Sequence, residues 1–309
     1  MGRQGMVRVV YIAGWGRSGS TILDGILGQI PKVASVGEIK FIWERGYLQD
    51  RRCSCGLPFH GCPFWSEVLA TALPGIDLTQ AEALDRASRR TRTRHLPLML
   101  LPNAERRYAP DLRWYRDVLR NLYKAVLKVG DADTVVDSSK YPSYAFLLRQ
   151  IPELDIKVIH LVRDPRAVAH SWTRDKVDPD APGGERMVKL PPVVTGVYWS
   201  VWNSALAIIC ERQEISRLVV KYEDLVAEPR HTVESICAWA GLEGRALPFV
   251  SENEVVLTTN HAVSGNAVRF NQGLVPIVGD QSWSTNMSDA ARRAAWATSW
   301  PVRRRFGYE

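Results

Sequence analysis

The chain has 309 residues, of which 46% are hydrophobic and 24% are charged, and its formal net charge is +7. This length and composition suffice for one large domain with its own core, so they exclude a disordered chain and make an oligomer unnecessary for stability. The sequence pI near 9.2 is compatible with an anionic ligand.

The N-terminal apolar run 7–13 is too short to span a membrane, and it continues into a glycine-rich segment instead of a signal-peptide cleavage site. The residues after Gly2 lack the Ser or Thr of a myristoylation signal. Five cysteines without an export signal favour reduced thiols. We therefore expect a cytoplasmic protein with no membrane span, while its oligomeric state is not encoded in any readable pattern.

Short β-branched runs alternate with amphipathic stretches along the chain. Buried strands are predicted at 8–13, 33–36, 134–137, 157–162 and 218–221. Helices are predicted at 21–29, 113–128, 144–150, 166–174, 194–212 and 230–240. Apolar strands separated by helices predict an α/β fold, a three-layer sandwich around a mostly parallel sheet of about five strands. We expect all of 1–309 to form this single domain.

Two segments interrupt the alternation. Residues 51–110 carry many charges, prolines and cysteines without a strand pattern, which predicts a helical insertion over one end of the sheet. Its arginines at 86, 89, 90, 92 and 94 favour a solvated helix face, so no nucleic-acid partner is expected. Residues 175–192, rich in Pro, Gly and Asp, predict a mobile loop.

Strand 8–13 runs directly into a glycine loop and a helix. This order points backbone N–H groups and a helix dipole at an anion, which predicts a phosphate-binding loop similar to a P-loop. The loop is Gly14-Trp15-Gly16-Arg17-Ser18-Gly19-Ser20-Thr21. Ser20 stands where a nucleoside triphosphatase loop has its lysine, so the sequence disfavours triphosphate hydrolysis and kinase chemistry.

The insertion begins with a cysteine cluster. Cys53, Cys55 and Cys62 have His60 among them, which forms an alternative set of metal ligands. Cys-x-Cys is tighter than the usual spacer of a structural zinc site, so we expect no metal. A local loop with a disulfide and free thiols remain open.

A second basic element follows strand 157–162. Arg163 leaves the strand end as a guanidinium suited to bidentate phosphate binding, and Ser171 lies one to two turns into the next helix. Together with the loop at 17–21, the run from His160 to Ser171 resembles the 5′- and 3′-phosphate elements of the sulfotransferases that use 3′-phosphoadenosine-5′-phosphosulfate (PAPS). The Arg in the loop is similar to that of the carbohydrate and tyrosylprotein branch.

The resemblance implies further site residues. The segment from His261 to Phe270 is similar to a loop that closes over the nucleotide in bacterial members, about 258–285 here, and it implies Asn266 and Arg269 as nucleotide contacts, the latter at the 3′-phosphate. The segment around Tyr222 is similar to the family's strand and helix after the acceptor loop, and we count Tyr222 among the nucleotide contacts.

The same resemblance assigns the chemistry. Glu38 follows the second predicted strand, as the catalytic Glu does in that branch, and we take it as the general base, with a pKa raised by desolvation. A Glu that caps a helix or pairs with Lys40 is the alternative. Lys140 is expected to donate to the bridging or a sulfuryl oxygen with Arg17 beside it, and Ser138 and Ser139 are further candidates. No metal is required for this transfer.

The sequence therefore favours a PAPS-dependent sulfotransferase that releases adenosine 3′,5′-bisphosphate (PAP) and sulfates a hydroxyl of a small-molecule or glycan acceptor. One alternative is a small-molecule kinase or nucleotide-binding protein of the wider P-loop group, with Asp137 as its magnesium ligand. Another is an inactive relative that binds a partner through the insertion. The acceptor and its reacting hydroxyl depend on loop geometry that the sequence does not give.

Overall fold

A computed structural model describes residues 5–99, 101, 112–178, 180 and 186–309 of the chain. Its central sheet has five strands, which are β1 (Val7–Ala13), β2 (Val33–Gly37), β3 (Thr134–Lys140), β4 (Leu154–Val162) and β5 (Ser216–Lys221). Neighbouring strands run parallel in the order β2-β3-β1-β4-β5. All five predicted strands are present, and the predicted α/β fold class is confirmed.

Helices cover both faces of the sheet and build its surroundings. They are α1 (Ser20–Leu27), α2 (Pro63–Ala72), α3 (Leu78–Arg89), α4 (Leu96–Met99), α5 (Arg113–Val129), α6 (Pro142–Arg149), α7 (Pro165–Thr173), α8 (Pro192–Arg212), α9 (Tyr222–Ala227), α10 (Pro229–Ala240), α11 (Trp283–Asn286) and α12 (Asp289–Thr298). A π-helix spans Ile42–Leu48. The sequence did not predict the antiparallel pair β6 (Glu254–Leu257) and β7 (Gly273–Pro276).

Alternate residues of the strands enter two separate cores. Val9 and Tyr11 of β1 lie in a core that also contains the buried faces of α5 and α6, whereas Val10 and Ile12 lie in a core with α1 and α10. Successive side chains of a strand point to opposite faces, so two covered faces require an apolar residue at nearly every position. This is why β1 reads as a continuous apolar run.

The predicted insertion contributes α2, α3 and α4 within its described part, whereas 100 and 102–110 lie outside the described residues. The helix α2 packs on α5, and α3 packs on the π-helix. The basic face of α3 is solvated but paired, since Arg89 forms ion pairs with Asp85 and Glu44. Of the predicted mobile loop 175–192, residues 179 and 181–185 lie outside the described part.

One described helix, α8, is long and apolar enough to span a membrane by length and composition. Half of its apolar window is nevertheless buried within the protein, and it packs against α7 and α12. Trp199, Leu206 and Ile209 of α8 are 0–1% exposed. A helix buried in this way passes the same test as a membrane span because a core position also requires an apolar surface.

Two helical glycines offer a test of this packing. A Cβ added at Gly196 in α8 would lie 2.0 Å from Oγ1 of Thr298, whereas one at Gly25 in α1 would meet its nearest atom at 3.9 Å. We predict that Gly196→Ala lowers the free energy of unfolding by about 1–3 kcal/mol through overpacking. Gly25→Ala is expected to be neutral or stabilising by up to about 1 kcal/mol because Ala favours the helix. Urea denaturation measures both, and equal losses would contradict the close α8–α12 approach.

Candidate functional site

Polar side chains leave the carboxyl ends of all five parallel strands. Glu38 follows β2, Lys140 ends β3, the glycine loop 14–19 follows β1, Arg163 follows β4 and Tyr222 follows β5. Carboxyl ends of parallel strands meet at one edge of a sheet, and this edge is where open α/β sheets bind ligands. The strand order therefore places an acid, a lysine, a phosphate loop, an arginine and a tyrosine in sequence along the edge.

The glycine loop is held tightly against its neighbours. Gly14 has φ 139°, and a Cβ there would lie 2.2 Å from the carbonyl oxygen of Leu161 in β4. Gly19 has φ 92° and caps α1, and a Cβ there would lie 2.5 Å from the ring of Tyr222. Both positions therefore require glycine, because of backbone conformation and close approach alike.

The loop presents its N–H groups and the start of α1 to the site. The hydroxyl of Ser18 donates to the carbonyl oxygen of Trp15 at 2.7 Å and fixes the turn. The first turn of α1 contains no acidic residue, so its helix dipole is uncompensated. Ser20 begins α1, and Oγ1 of Thr21 accepts a hydrogen bond from the N–H of Asn266 at 3.4 Å. This arrangement can bind a phosphate or sulfate group.

Arg163 is 7% exposed, although it carries a charge. Its Nη1 donates to the carbonyl oxygen of Arg17 at 3.2 Å, and its Nη2 donates to that of Asp280 at 3.0 Å. The guanidinium lies 4.2 Å from the ring centre of Tyr222, and its buried Nε has no hydrogen-bond partner. A buried guanidinium satisfied mainly by carbonyl oxygens retains an unbalanced positive charge, which suits an anionic ligand.

Further cations surround this guanidinium. The pKa of Lys176 is lowered by burial and then by the charges of Arg174, Arg17 and Arg163, which are opposed by Asp280. Burial also lowers the pKa of Arg17. Like charges destabilise one another at such proximity unless an anion joins them. The sequence analysis missed Arg174, which it placed at the end of the predicted helix 166–174, and Lys176, which it placed in the predicted loop 175–192; the structure ends α7 at Thr173.

Ser171 lies on α7 and is half-buried. The ring of Trp172, the next residue, lies 5.0 Å from the Arg17 guanidinium. Its indole Nε1 donates to the carbonyl oxygen of Gly16 at 3.3 Å. These contacts bring α7 against the glycine loop, so Ser171 is carried on a helix that adjoins both predicted phosphate elements.

Glu38 and Lys140 form a buried ion pair. Nζ of Lys140 donates to Oε1 of Glu38 at 2.5 Å, and the two side chains are 16% and 12% exposed. Burial raises the pKa of Glu38, but the cations of Lys140, Arg45 and Arg269 outweigh it and hold the pKa below the usual 4.5. The expected upward shift of the Glu38 pKa is therefore wrong for this arrangement, because burial alone was considered.

Lys40, the alternative partner of Glu38, points elsewhere. Its Nζ donates to Oγ1 of Thr91 at 2.7 Å and to the carbonyl oxygen of Ser88 at 3.0 Å. Burial lowers its pKa to about 7. Lys40 therefore joins the insertion to the segment after β2, and the ion pair of Glu38 is formed with Lys140.

The loop after β6 supplies the predicted nucleotide contacts at 266 and 269, and they differ in placement. Asn266 reaches the glycine loop through its backbone contact with Thr21. Arg269 is buried, and its guanidinium pairs with Asp180 and donates to the carbonyl oxygens of Gly265 at 3.0 Å and Arg52 at 3.3 Å. None of these contacts involves Arg163, and the assignment of Arg269 to the 3′-phosphate stays a prediction.

Three residues near the end of β3 are buried in the interior, namely Asp137, Ser138 and Ser139. Asp137 is fully buried and accepts hydrogen bonds from the hydroxyls of Tyr123 and Ser139 and from the N–H of Ser139. Ser139 also accepts from the N–H of Lys40 at 3.1 Å, and Ser138 is 2% exposed. The hydroxyl of Ser139 is thus engaged at the end of the strand, and the binding roles of Ser138 and Ser139 stay a prediction.

The cysteine cluster also differs from its predicted composition. Cys53, Cys55 and Cys62 converge with His261, not with His60. Nε2 of His60 donates to the carbonyl oxygen of Tyr47 at 2.8 Å. The structure therefore replaces His60 by His261 in the set of groups able to hold a metal, and the three thiols form no disulfide.

Aromatic side chains line the edge beside the Glu38–Lys140 pair. The ring of Tyr141 lies 5.8 Å from that of Phe41 and 5.1 Å from that of Trp202, and Trp202 in turn lies 4.7 Å from Trp15. Indole Nε1 of Trp202 donates to the carbonyl oxygen of Lys140 at 3.3 Å. Such rings can bind a flat or sugar-like molecule by stacking.

Comparisons with known proteins point to one family. The model of the Sulfotransferase family matches residues 10–245. No match to a curated protein sequence was found. Among solved structures, the sulfotransferase domain of the Synechococcus PCC 7002 olefin synthase is 20% identical with a TM-score of 0.48, covering 98% of this chain and 95% of that one.

Two other solved structures are similar. The sulfotransferase domain from the curacin biosynthetic pathway is 18% identical with a TM-score of 0.49, covering 100% of this chain and 99% of that one. A sulfotransferase from Mycobacterium avium is 14% identical with a TM-score of 0.41, covering 76% of this chain and 64% of that one.

The ion pair predicts a pH-dependent stability change in Lys140→Met. A carboxyl whose pKa is depressed on folding stabilises the protein above its ordinary pKa of 4.5 and loses this effect as the pH falls. Without the ammonium, burial raises the pKa of Glu38, so the variant should lose about 2–3 kcal/mol at neutral pH and much less at low pH. Burial raises the pKa of Asp24 to about 7, and the ammonium of Lys140 opposes this rise. The pKa of Asp24 is therefore also expected to rise in Lys140→Met.

Urea denaturation of both proteins at pH 7 and pH 4 measures this difference. Lys124→Met, which changes an exposed lysine on α5, is the matched control and should show little change at either pH. A loss in Lys140→Met that is independent of pH would contradict the pairing with Glu38.

Proposed function

The chain belongs to the sulfotransferase family, and we propose that it transfers a sulfuryl group from PAPS to a hydroxyl of a small-molecule or glycan acceptor. One observation carries this proposal. Along a single sheet edge, a buried acid–lysine pair lies on one side of the glycine loop and a cluster of cations lies on the other. Sulfuryl transfer requires a base for a hydroxyl at one end of the reacting group and positive donors for the leaving phosphate at the other.

The glycine loop is the site proposed for the 5′-phosphosulfate. It supplies the backbone N–H groups of residues 17–21, including that of Gly19, an uncompensated helix dipole, and the polar side chains of Arg17, Ser18, Ser20 and Thr21. The phosphosulfate carries less charge than a triphosphate. Arg17, Lys140 and the N–H groups of the loop therefore suffice without a metal ion in this proposal.

The cation cluster is the site proposed for the 3′-phosphate. Arg163 lies beside the loop and against Tyr222, and burial followed by the charges of Arg174, Arg17 and Arg163 lowers the pKa of Lys176. Ser171 adds a hydroxyl from α7. A nucleotide with a second phosphate on its ribose neutralises this excess of positive charge, whereas ATP or ADP has no group for it.

The reacting end is proposed to use Glu38 and Lys140. The acceptor hydroxyl gives its proton to the carboxylate of Glu38 while its oxygen forms a bond to sulfur. The bond between sulfur and the bridging oxygen breaks, and PAP leaves with the electron pair of that bond. Lys140 and the N–H groups of the loop stabilise the charge that develops on the leaving oxygen.

The ion pair gives the base a way to respond to the donor. While Lys140 holds Glu38, the pKa of Glu38 is low and the carboxylate is ionised but weakly basic. A bound phosphosulfate competes for the ammonium, and burial of Glu38 then raises its pKa again. The carboxylate thus becomes a stronger base only when the donor is in place.

The acceptor is proposed to bind on the rings of Phe41, Tyr141 and Trp202. They adjoin the Glu38–Lys140 pair, and the charge of Glu38 influences the pKa of Tyr141 directly. Stacking rings beside a buried acid suit a flat or sugar-like acceptor that presents one hydroxyl to Glu38. The structure fits a small-molecule kinase less well. Ser20 stands where a kinase loop has its lysine, and the candidate magnesium ligand Asp137 is buried and accepts hydrogen bonds from Tyr123 and Ser139.

The activity is tested with radiolabelled PAPS and a panel of phenolic and sugar acceptors. We expect transfer of label by the wild-type protein without added magnesium, and a 10²–10⁴-fold lower kcat in Glu38→Gln, because the amide cannot accept the proton. The KM for PAPS should change much less. Glu252→Gln, which alters an exposed acid paired with Arg230, is the matched control and should keep full activity.

Two results would contradict the proposal. One is undiminished transfer in Glu38→Gln, which would remove its role as the base. The other is magnesium-dependent transfer from labelled ATP, with none from PAPS, which would favour the kinase alternative.

A further inference from the structure

Three sulfurs and an imidazole nitrogen converge at a place that sulfuryl transfer does not use. Sγ of Cys62 lies 3.7 Å from Sγ of Cys55 and 3.3 Å from Nδ1 of His261. Sγ of Cys53 lies 3.7 Å from the same Nδ1. All four atoms lie within 4.8 Å of one another. These four atoms are all of types that bind metal ions, and they are close enough together to bind a single ion.

The spacing fits the corners of a tetrahedron around zinc. With Zn–S bonds of about 2.3 Å and Zn–N bonds of about 2.0–2.1 Å, tetrahedral sites have S–S edges of about 3.8 Å and S–N edges of about 3.5 Å. Three of the distances between these atoms, 3.3 Å and twice 3.7 Å, lie close to those values, and the others do not exceed 4.8 Å. Three thiolates and one imidazole are, moreover, a ligand set that zinc prefers.

We propose that Cys53, Cys55, Cys62 and His261 form a structural zinc site.

The backbone explains how the short Cys-x-Cys spacing works. The N–H of Gly56 donates to the carbonyl oxygen of Cys53 at 2.8 Å, and Gly56 adopts φ 92°, so the chain turns back immediately after Cys55. The N–H of Cys53 closes the turn on the carbonyl oxygen of Leu57 at 2.8 Å. Both sulfurs are thereby brought to one side of a tight turn. The sequence argument against zinc assumed a wider spacer and did not include this turn.

Backbone N–H groups also support the sulfurs. The backbone N–H groups of Cys55, Leu57 and Trp65 lie beside the sulfurs of Cys53, Cys55 and Cys62 in that order, where an N–H favours a thiolate. Such donors around the ligands orient them and spread the charge of metal-bound thiolates. Each of the three cysteine sulfurs therefore has a backbone N–H beside it in addition to the metal that it would bind.

His261 is held in place by the first turn of α2. The ring of Phe64 stacks on the imidazole with 4.6 Å between centroids and 7° between planes. Nε1 of Trp65 donates to the carbonyl oxygen of His261 at 2.8 Å. Cys53 and Cys62 are 1% and 0% exposed. With four ligand atoms from the protein, all four positions of a tetrahedral metal ion would be occupied. A closed set of four ligands is typical of structural sites, whereas catalytic sites keep one position open.

A disulfide is the main alternative. The Sγ–Sγ distance of 3.7 Å between Cys55 and Cys62 is far above the bond length of about 2.05 Å. A disulfide would also leave the third thiol and His261 without a role. The position of the imidazole between two sulfurs favours a metal.

The zinc would join two distant parts of the chain near the reacting edge. Ser54, between the first two ligands, donates its N–H to the carbonyl oxygen of Ala262 at 3.2 Å. The carbonyl oxygen of Val263, two residues after the fourth ligand, accepts the N–H of Glu38 at 2.8 Å. Because metal binding contributes to folding free energy, the site would brace the insertion and the segment that contacts Glu38.

Metal content of the full-length protein tests the proposal. The protein is expressed in zinc-supplemented medium, purified without a metal-affinity tag and analysed by mass spectrometry of its elements. We expect one zinc per chain, and at least a tenfold lower content in His261→Ala and Cys62→Ser. His60→Ala and Cys210→Ala remove a histidine and a buried thiol outside the cluster, and both should retain the zinc.

A second measurement covers variants that fail to fold. In the wild-type protein, a mercurial reagent that titrates thiols should release zinc to a chromophoric chelator as three thiols react. Replacement by cobalt should give the charge-transfer and d–d bands of a tetrahedral thiolate site. These readouts do not depend on activity, so their outcome is separate from that of the proposed transfer.

Three results would overturn the site. They are a folded wild-type protein with background zinc and no cobalt bands, zinc loss in His60→Ala equal to that in His261→Ala, and a Cys55–Cys62 disulfide in peptides prepared without reductant.

Discussion

The buried ion pair between Glu38 and Lys140 joins the ends of β2 and β3, where three further parts of the chain meet. Lys140 ends β3 with φ 71°, and its carbonyl oxygen accepts hydrogen bonds from the N–H of Gly14 at 3.4 Å and the indole of Trp202 at 3.3 Å. The N–H of Glu38 donates to the carbonyl oxygen of Val263. The phosphate loop, α8 and the loop after β6 are therefore anchored on the two residues that form the pair, so their positions are coupled to it.

Charge is divided along the sheet edge on either side of the glycine loop that follows β1. Beyond β3 the acid and the lysine neutralise one another, while beyond β4 the guanidinium of Arg163 is satisfied mainly by carbonyl oxygens. A parallel sheet makes such a division possible because each strand delivers one residue to the same edge. In the proposed reaction, an anionic donor binds to the cationic half, and a neutral hydroxyl approaches the other half without displacing a charge.

The strands and the glycine loop between β1 and α1 could be predicted because their information is local. Runs of β-branched residues identify β1 to β5, and the glycine spacing identifies the loop. In contrast, β6 and β7 have four residues each and bury too few of them to show alternation.

Long-range partners could not be predicted in the same way. The downward pKa shift of Glu38 depends on a lysine 102 residues away, and the fourth member of the cysteine cluster lies 199 residues beyond Cys62. Likewise, Arg269 forms an ion pair with Asp180, and no sequence motif links these two residues.

We propose above all that the sheet edge recognises a nucleotide with a 3′-phosphate. Calorimetric titration of the wild-type protein and Arg163→Ala with PAP and with ADP tests it most directly. Magnesium-free binding of PAP, at least tenfold tighter than that of ADP and weakened in the variant, is the predicted result, and tighter magnesium-dependent binding of ADP would contradict the account.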